Sequence, residues 1–207
     1  MQKKTRIDRA KKAEKKRKLI INSALKLFSQ KGFHGTTMAE VANECGIAVG
    51  SIYHYFQGKD HLYHSVLEDK CNEILDRLKK AVNPNRSIRE NFKDLVALQN
   101  RLLERNEGFF RLYLSSKNLP VLEEVRERLG TRSDIIYKRF LLFYTELMEL
   151  GISRGELRDE SPQRLAQAYL GLVNTFFFEW LRGNIENLAE VEEFAVSLFL
   201  DGAHREE

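Results

Sequence analysis

The stretch GSIYHYFQGKD, residues 50–60, places four aromatic rings within about two helical turns. Seen down a helix at about 100° per residue, the stretch divides into two sides. The first side consists of Ile52, Tyr55, Phe56 and Lys59. The second side consists of Gly50, Tyr53, His54 and Gln57. Because only one side can face a core, the pattern predicts that the second side offers a small glycine–serine step and two hydrogen-bonding rings to a partner outside the chain.

The residues before this stretch predict two further helices. A first, long helix is expected over about residues 10–31. A second, short helix begins with a capping box of Thr37 and Glu40 and ends at Gly46. A third, over residues 49–56, carries the quoted stretch. The order of long helix, short helix, glycine turn and short helix is the helix-turn-helix plan.

The rest of the chain also has helical periodicity, and no segment alternates long enough to predict a strand. The further helices are expected over about residues 60–80, 87–106, 108–117, 119–129, 131–151, 162–183 and 188–203. The three prolines all lie between helical stretches. Ser161 with Pro162 marks one helix start as N-cap and first-turn proline, and Asn187 with Glu190 marks the start of the last helix. The predicted fold class is therefore all-α, with about nine or ten helices. It comprises an N-terminal three-helix domain at residues 1–58 and a helical C-terminal domain at residues 59–207.

The charge of the chain is unevenly distributed. Residues 1–60 carry 13 Lys and Arg against 5 Asp and Glu, whereas the remaining residues carry a small acidic excess. The first 18 residues have almost no apolar stripe, which favours a polyanion over a lipid surface as partner. The basic residues of this tail are Lys3, Lys4, Arg6, Arg9, Lys11, Lys12, Lys15, Lys16, Arg17 and Lys18. A solvated tail without a role is the alternative interpretation.

The composition excludes several classes of location. The longest apolar run, residues 169–181, is too short to span a bilayer, and the N-terminus lacks the apolar region of a secretory signal. Cys45 and Cys71 form no metal-binding or redox spacing and are expected to be plain thiols. We therefore expect a cytoplasmic protein with no membrane association.

The helix over residues 162–183 is apolar on nearly all sides, so it must be buried all round. The last helix carries an apolar stripe as well. A symmetric partner would cover both, which predicts a homodimer through a four-helix bundle made of the last two helices of each subunit. A central core helix in a monomer is the alternative.

Residues 36–67, TTMAEVANECGIAVGSIYHYFQGKDHLYHSVL, resemble the DNA-binding domain of TetR-family transcriptional regulators. The resemblance runs from the Thr-Thr pair through the glycine turn to Gly-Ser-Ile-Tyr-His-Tyr-Phe and the lysine. Residues 151–162, GISRGELRDESP, resemble the loop before the family's penultimate helix. One departure is that Ala48 and Val49 stand where many relatives have serine and a basic residue.

The resemblance implies which residues meet DNA. The third helix would enter the major groove of a palindromic operator, with half-sites about 34–36 Å apart or a multiple of that. The implied DNA-binding residues are Thr37, Val49, Gly50, Ser51, Tyr53, His54 and Lys59. Among them, Tyr53 and Lys59 would contact phosphates, His54 a base edge and Val49 a thymine methyl group. The basic tail would neutralise further phosphates or follow the minor groove.

The resemblance also implies a small-molecule pocket in the C-terminal domain, and the aromatic residues there indicate a hydrophobic ligand. The expected ligand-binding residues are Phe110, Tyr113, Arg139, Phe140, Tyr144, Tyr169, Asn174 and Phe177. The resulting prediction is a ligand-responsive transcriptional regulator, a repressor that releases its operator when a hydrophobic small molecule binds. The same aromatic residues are first of all interpretable as core.

Two rival functions use the same residues. One is a helical protein-interaction adaptor without DNA binding, in which the basic tail is incidental. The other is a metal-dependent helical enzyme using His54, His61 and His64 as ligands. No carboxylate or cysteine completes a metal site, and the sequence contains no nucleophile elbow or phosphate loop. We therefore expect no enzyme activity, no metal and no cofactor.

Overall fold

The computed structural model describes residues 2–110, 112 and 132–203. Within this part of the chain there is no β-strand, which confirms the all-α fold class. The predicted helix over residues 119–129 and most of the one over 108–117 lie outside the described residues.

The helices agree with the sequence-based expectation in number and order over the described part. The N-terminal helices are α1 (Gln2–Lys31), α2 (Met38–Glu44), α3 (Val49–Tyr53) and α4 (Lys59–Ala81). The others are α5 (Ile88–Arg105), α6 (Arg132–Ser153), α7 (Pro162–Leu181) and α8 (Leu188–Ala203).

Two helix ends differ from the expectation. Helix α1 begins at Gln2 instead of about Ala10, because residues 2–9 include four lysines and arginines and a glutamine and contain no glycine or proline. Helix α3 ends at Tyr53 instead of Phe56. The residues after it form a tight turn in which the Phe56 amide donates to the Ile52 carbonyl at 2.9 Å.

The chain divides into two compact units. One comprises residues 1–71 and 108–130, and the other comprises residues 72–107 and 131–207. The division at residue 71 falls inside α4, whereas the domain boundary expected from the sequence precedes that helix. That boundary, at residues 58 and 59, stays a prediction about where the DNA-binding part ends.

The first unit is built around α1, α2 and α3. Its core contains the fully buried residues Ile20, Ala24, Phe28, Val41, Ala42, Ile52, Phe56 and Leu62. Gly46, at φ +64°, occupies the left-handed region that the turn between α2 and α3 requires. The Ile47 amide then donates to the Ala42 carbonyl at 3.0 Å, which closes the end of α2.

The start of α2 is held by the capping box predicted from the sequence. The Glu40 amide donates to the Thr37 hydroxyl at 3.2 Å, and the Thr37 amide donates to the Glu40 carboxylate at 2.8 Å. Lys31, the last residue of α1, donates to the same carboxylate at 2.6 Å. These donors, Lys31 first, lower the pKa of Glu40 from 4.5 to about 2.

The second unit has an aromatic core at the meeting point of α5, α6, α7 and α8. The rings of Phe92 and Tyr169 meet edge to face at 4.8 Å, and Tyr169 also contacts Tyr144 and Phe199 at 4.9 and 5.4 Å. The Gln99 carboxamide donates to the Tyr144 hydroxyl and accepts from the Tyr169 hydroxyl, at 2.6 and 3.3 Å. Both buried hydroxyls are therefore satisfied.

The starts of the last two helices follow the predicted caps. Ser161 accepts from the Arg164 amide, and Pro162 is the first residue of α7. Asn187 accepts from the Ala189 amide at 3.1 Å and donates to Glu190 at 2.9 Å, so it caps α8. Both caps confirm the sequence-based interpretation.

The lowered pKa of Glu40 makes the stability of the first unit depend on pH. The stabilisation by this carboxylate is complete above pH 4.5 and is lost as the pH falls from 4.5 through about 2, because over this window the unfolded state binds the proton and the folded state does not. We expect the melting temperature of Glu40→Gln to lie furthest below that of the wild type near neutral pH, with the gap closing over this window. Circular dichroism melts across the pH range measure it.

The matched control for this experiment is Glu104→Gln, which changes an exposed carboxylate on α5 in the same way. A gap between wild type and Glu40→Gln that stays constant down to the acid limit would contradict the role given to the capping box.

Candidate nucleic-acid interface

Helix α3 has one buried and one exposed side, as the quoted stretch predicts. Ile52 is fully buried and Phe56, in the following turn, is 1% exposed. Tyr53 is 53% exposed and Val49 is 40% exposed, and His54 lies on the exposed side as well. An isolated helix of five residues is unstable, so the burial of Ile52 decides which way its neighbours point.

The other residues of the predicted DNA-binding set differ in how exposed they are. Gly50 is exposed and a Cβ placed there would meet open space, and Ser51 is half-buried. Ala48, at the start of α3, makes no side-chain cap hydrogen bond, as its departure from the family pattern predicts. Thr37 is exposed, but its hydroxyl is already engaged with Glu40 in the capping box.

Lys59, the first residue of α4, is positioned by an aromatic platform. Its ammonium lies 4.5 Å from the centroid of the Phe33 ring, a cation–π contact. Phe33 in turn packs edge to face on the buried Tyr63 at 5.0 Å. A lysine held in this way keeps its charge at a fixed place, which suits a contact with a phosphate.

The acidic side chains of α2 are neutralised within the first unit. Glu40 pairs with Lys31, and Glu44 pairs with Lys26, both at 2.6 Å. Carboxylates near a DNA surface would repel phosphates, so these two pairs reduce the repulsion from α2.

Helix α1 extends far beyond the core of the first unit as a basic arm. Its 30 residues correspond to a length of about 45 Å at 1.5 Å per residue. From Asp8 to Lys15 every side chain is exposed, and Lys16 and Arg17 are half-buried. Arg17 lies 5.6 Å from the Phe56 ring centroid, so the arm adjoins the turn after α3. The side chains of Lys3, Lys4 and Arg6 lie outside the described residues.

The histidines proposed as alternative metal ligands have other surroundings. Nδ1 of His61 accepts from the Gln57 amide at 3.1 Å, which fixes the turn before α4. His54 is the C-cap residue of α3, and its side chain is exposed. Among the residues whose placement is described, no group of three or more His, Cys, Asp and Glu side chains is arranged to hold a metal ion.

The residues predicted to bind a ligand fall in different surroundings. Tyr144 and Tyr169 are fully buried in the aromatic core of the second unit, and the Phe177 ring stacks on Trp180 at 6.2 Å. The Arg139 guanidinium donates to the Asn72 carboxamide at 2.6 Å, and Asn174 is exposed.

Three members of the predicted ligand-binding set remain. Phe140 is half-buried on α6, and Phe110 is half-buried against Phe109, at 5.1 Å, in the first unit. Tyr113 lies outside the described residues. The ligand-binding role of all eight residues stays a prediction.

Comparison with known proteins identifies the helix-turn-helix segment. Residues 20–66 match the family described as bacterial regulatory proteins, tetR family. The matched segment begins in α1 and ends in α4, so it contains all of α2 and α3. Residues 20–66 thus form a TetR-family domain, and most of the chain resembles transcriptional regulators of that family.

Two relatives from Bacillus subtilis (strain 168) illustrate the similarity. The chain is 39% identical to the uncharacterised HTH-type transcriptional regulator YuxN over 118 residues, which covers 55% of this chain and 39% of that protein. It is 22% identical to the fatty acid metabolism regulator protein over 190 residues, covering 89% of this chain and 94% of that protein. The chain thus matches less than half the length of YuxN and nearly all of the second relative.

A solved structure extends the likeness to the whole fold. The transcriptional regulator FadR from Bacillus subtilis, crystallised with stearoyl-CoA, superposes with a TM-score of 0.75 at 20% identity. The superposition covers 90% of this chain and 98% of that chain. The similarity establishes a shared fold from the N-terminal helices to the last.

Sequence reasoning missed residues that hold the interface in place. The platform of Phe33 under Lys59 joins residues 26 positions apart, and no local spacing announces such a contact. His61, a ligand in the rival metal-site hypothesis, instead caps a turn by accepting from the Gln57 amide. In the regulator, Phe33 therefore supports Lys59, and His61 supports the turn that leads from α3 to α4.

Truncating a side chain is expected to lower stability strongly on the buried side of α3 and very little on its exposed side. Phe56→Ala removes a ring buried in the core and is expected to lower the free energy of unfolding by about 3–5 kcal/mol. Tyr53→Ala removes an exposed ring and is expected to change it by less than about 0.5 kcal/mol. Urea unfolding followed by circular dichroism measures both variants. A loss at Tyr53 as large as that at Phe56 would show that the tyrosine belongs to the core.

Proposed function

We propose that the regulator binds a palindromic operator as a homodimer and represses transcription until a hydrophobic small molecule releases it. The observation that carries the DNA-binding part is the outward side of α3. There, Val49, Tyr53 and His54 are exposed beside a buried Ile52. The operator would lie on the chromosome, so the regulator would act in the cytoplasm.

The residues of the exposed side have distinct proposed roles in the major groove. The hydroxyl of Tyr53 donates to a phosphate oxygen, and Lys59 adds a charge on the backbone. His54 contacts a base edge, and the Val49 side chain contacts a thymine methyl group. Gly50 and Ser51, which carry little bulk, let the backbone of α3 approach the groove. Thr37 lies at the start of α2, where backbone amides attract phosphate.

The basic arm supplies affinity without sequence information. Its exposed residues Arg9, Lys11, Lys12 and Lys15 neutralise phosphates and release counterions, so each contact steepens the salt dependence of binding. The arm and α3 belong to the same compact unit, and therefore they reach the same stretch of DNA.

Dimerisation is proposed through the last two helices, which carry exposed apolar side chains. Phe194 and Leu198 on α8 are 57% and 52% exposed. The Phe194 ring lies 6.2 Å from that of Phe176 on α7, so the two helices share one apolar surface. Covering this surface with the same surface of a second copy gives a closed, two-fold symmetric assembly.

The effector is proposed to be a molecule with a long apolar part, such as an acyl chain. The support is the apolar and aromatic composition of the second unit, together with two relatives. One is named as a regulator of fatty acid metabolism, and the other was crystallised with stearoyl-CoA. The expected contacts within the second unit are Arg139, Phe140, Tyr144, Tyr169, Asn174 and Phe177.

Release from DNA requires that the effector prefers one of two packings of the chain. In the proposed mechanism α4 moves and the separation of the two α3 helices no longer matches the half-site spacing of about 34–36 Å or a multiple of it. Linkage then demands that an effector which weakens operator binding is itself bound less tightly by the DNA complex. A tightly bound effector that left operator affinity unchanged would contradict this mechanism.

The DNA-binding role of α3 is tested by removing single polar groups. Tyr53→Phe is expected to weaken operator binding about tenfold, because one hydrogen bond to a charged phosphate is lost. His54→Ala is expected to change the preference at one base pair by about 1–3 kcal/mol. Selection of bound fragments from random DNA supplies the operator, and fluorescence anisotropy across a salt series measures both variants.

The matched control is Tyr55→Phe, which makes the same chemical change at a half-buried tyrosine two residues away. Tyr55→Phe is expected to bind the operator as tightly as the wild type. If Tyr53→Phe did so as well, Tyr53 would not be a phosphate contact. If the wild type failed to enrich any DNA sequence, the adaptor function would be favoured over the regulator.

The dimer is tested with two exposed leucines. Leu198→Asp places a carboxylate in the proposed interface and is expected to weaken the dimer more than about tenfold, because each dimer would bury two unpaired charges. Sedimentation of the wild type at micromolar concentration is expected to give twice the 24.2 kDa mass of one chain. Leu142→Asp is the control, since Leu142 is 59% exposed on α6. Wild-type particles of single-chain mass would disprove the dimer.

A further inference from the structure

A groove of about 360 Å³ runs between α5 and α8 within the second unit. Both walls repeat at helical spacing, and the small residues Ala97 and Ala189 leave room between them. The Arg89 guanidinium, near the start of α5, pairs with Asp201 at the end of α8 at 2.8 Å. The two helices are therefore antiparallel, and this ion pair closes one end of the groove.

The most buried polar side chain of the groove has an oxygen with no hydrogen-bond partner among the described residues. Asn100 is only 8% exposed, and its carbonyl oxygen Oδ1 accepts no hydrogen bond from any residue that the structure describes. A buried carboxamide in this state loses its hydration without replacement, which costs about 1–3 kcal/mol. Such a group is expected to meet a donor from an occupant of the groove.

Another buried asparagine on the same helix shows the contrast. Asn91 is fully buried, and its Oδ1 accepts from the Asn83 amide at 2.7 Å. Its Nδ2 donates to the carbonyls of Asn83 and Ser87 at 3.0 Å, and to that of Arg86 at 3.3 Å. Asn91 thus ties the loop before α5 to the helix. The Oδ1 of Asn100 instead lacks a partner among the described residues, and Asn100 lines a groove.

The groove also carries one charge of each sign without a counter-ion. Lys93 lines it from α5 and Glu193 lines it from α8. Neither forms an ion pair with another residue in the described part of the chain. Beside these charges the walls are apolar, formed by Val96 and Val196. A cation, an anion, a free carboxamide and an apolar wall thus converge on one volume.

We propose that this groove binds a small zwitterion, an α-amino acid with an apolar side chain. The carboxylate of the ligand pairs with Lys93 and its ammonium group pairs with Glu193. The Asn100 oxygen accepts a hydrogen bond from the ammonium group. The apolar side chain of the ligand lies against Val96 and Val196. The volume is at the lower end of ligand pockets, which suits a metabolite of this size.

The groove and the proposed dimer surface lie on different sides of α8. Glu193 and Ser197 line the groove, and each is followed by an exposed apolar residue, Phe194 and Leu198. Adjacent residues of a helix point about 100° apart, so a second copy docked on the apolar residues leaves the groove accessible. Amino-acid binding does not depend on the proposed DNA binding, and its test contains no DNA.

Three probes with the same branched apolar chain separate the two charges of the ligand. They are L-leucine, 4-methylpentanoate, which lacks the ammonium group, and 3-methylbutylamine, which lacks the carboxylate. Isothermal titration calorimetry of the full chain is expected to show binding of leucine, with each of the other two weaker by about tenfold or more. Equal binding of 4-methylpentanoate and leucine would overturn the zwitterion in favour of a simple carboxylate. No binding of any apolar amino acid at millimolar concentration would overturn the site.

Two variants assign the binding to the groove. Glu193→Gln is expected to weaken leucine about tenfold and to leave 4-methylpentanoate unchanged, because only the partner of the ammonium group is altered. Asn100→Leu removes the carboxamide while keeping its bulk. It is expected to melt no lower than the wild type, since an unsatisfied polar group is lost, but to bind leucine at least tenfold more weakly.

The control is Glu104→Gln, an exposed carboxylate on the same helix α5 that does not line the groove. It is expected to bind leucine as the wild type does. Leucine binding that survived both Glu193→Gln and Asn100→Leu would place the ligand elsewhere and overturn the proposal.

Discussion

The structure of the DNA-binding unit depends on the burial of two apolar side chains, Ile52 and Phe56. Helix α3 has only five residues, and Ala48 gives it no side-chain cap. Its hydrogen bonds alone would not keep it helical, so contact with the core formed by α1 and α2 must do so. Once Ile52 is anchored, helical geometry turns Tyr53 about 100° away from the core. Stability and the proposed DNA recognition therefore come from neighbouring positions of one short segment.

The ion pairs of the first unit also have two effects at once. Helix α2 contains two glutamates, and each is paired with a lysine of α1. The pairs fix α2 against α1 and at the same time compensate the negative charge close to α3. The capping residue Thr37 takes part in the same arrangement, since its hydroxyl and amide both contact Glu40. The positive field of the basic arm is thus little opposed by the helices beside it.

Sequence alone predicted those features that follow from local spacing. The capping box of Thr37 and Glu40, the two sides of α3 and the cap of Ser161 at α7 all depend on residues within four positions of one another. The cation–π contact of Lys59 with Phe33 joins distant positions, and periodicity gives no sign of it.

Periodicity also cannot decide between the two uses of a buried aromatic residue. Tyr144 and Tyr169 have the same sequence pattern whether they fill a core or line a cavity. Only the hydrogen bonds of their hydroxyls to Gln99 show what satisfies them in this structure. For the same reason the free carboxamide of Asn100 and the satisfied one of Asn91 are indistinguishable in the sequence.

The unbroken helix α1 has a consequence for the unbound protein. Lysines four positions apart, such as Lys11 with Lys15 and Lys12 with Lys16, repel one another along the arm, and added salt relieves that repulsion. Under the proposed function salt would act on the arm in two opposite directions, strengthening its helix in the free protein and weakening its attraction to phosphates. In the proposed complex the phosphates of DNA would supply the missing negative charge, so the helix of the arm would be most stable there.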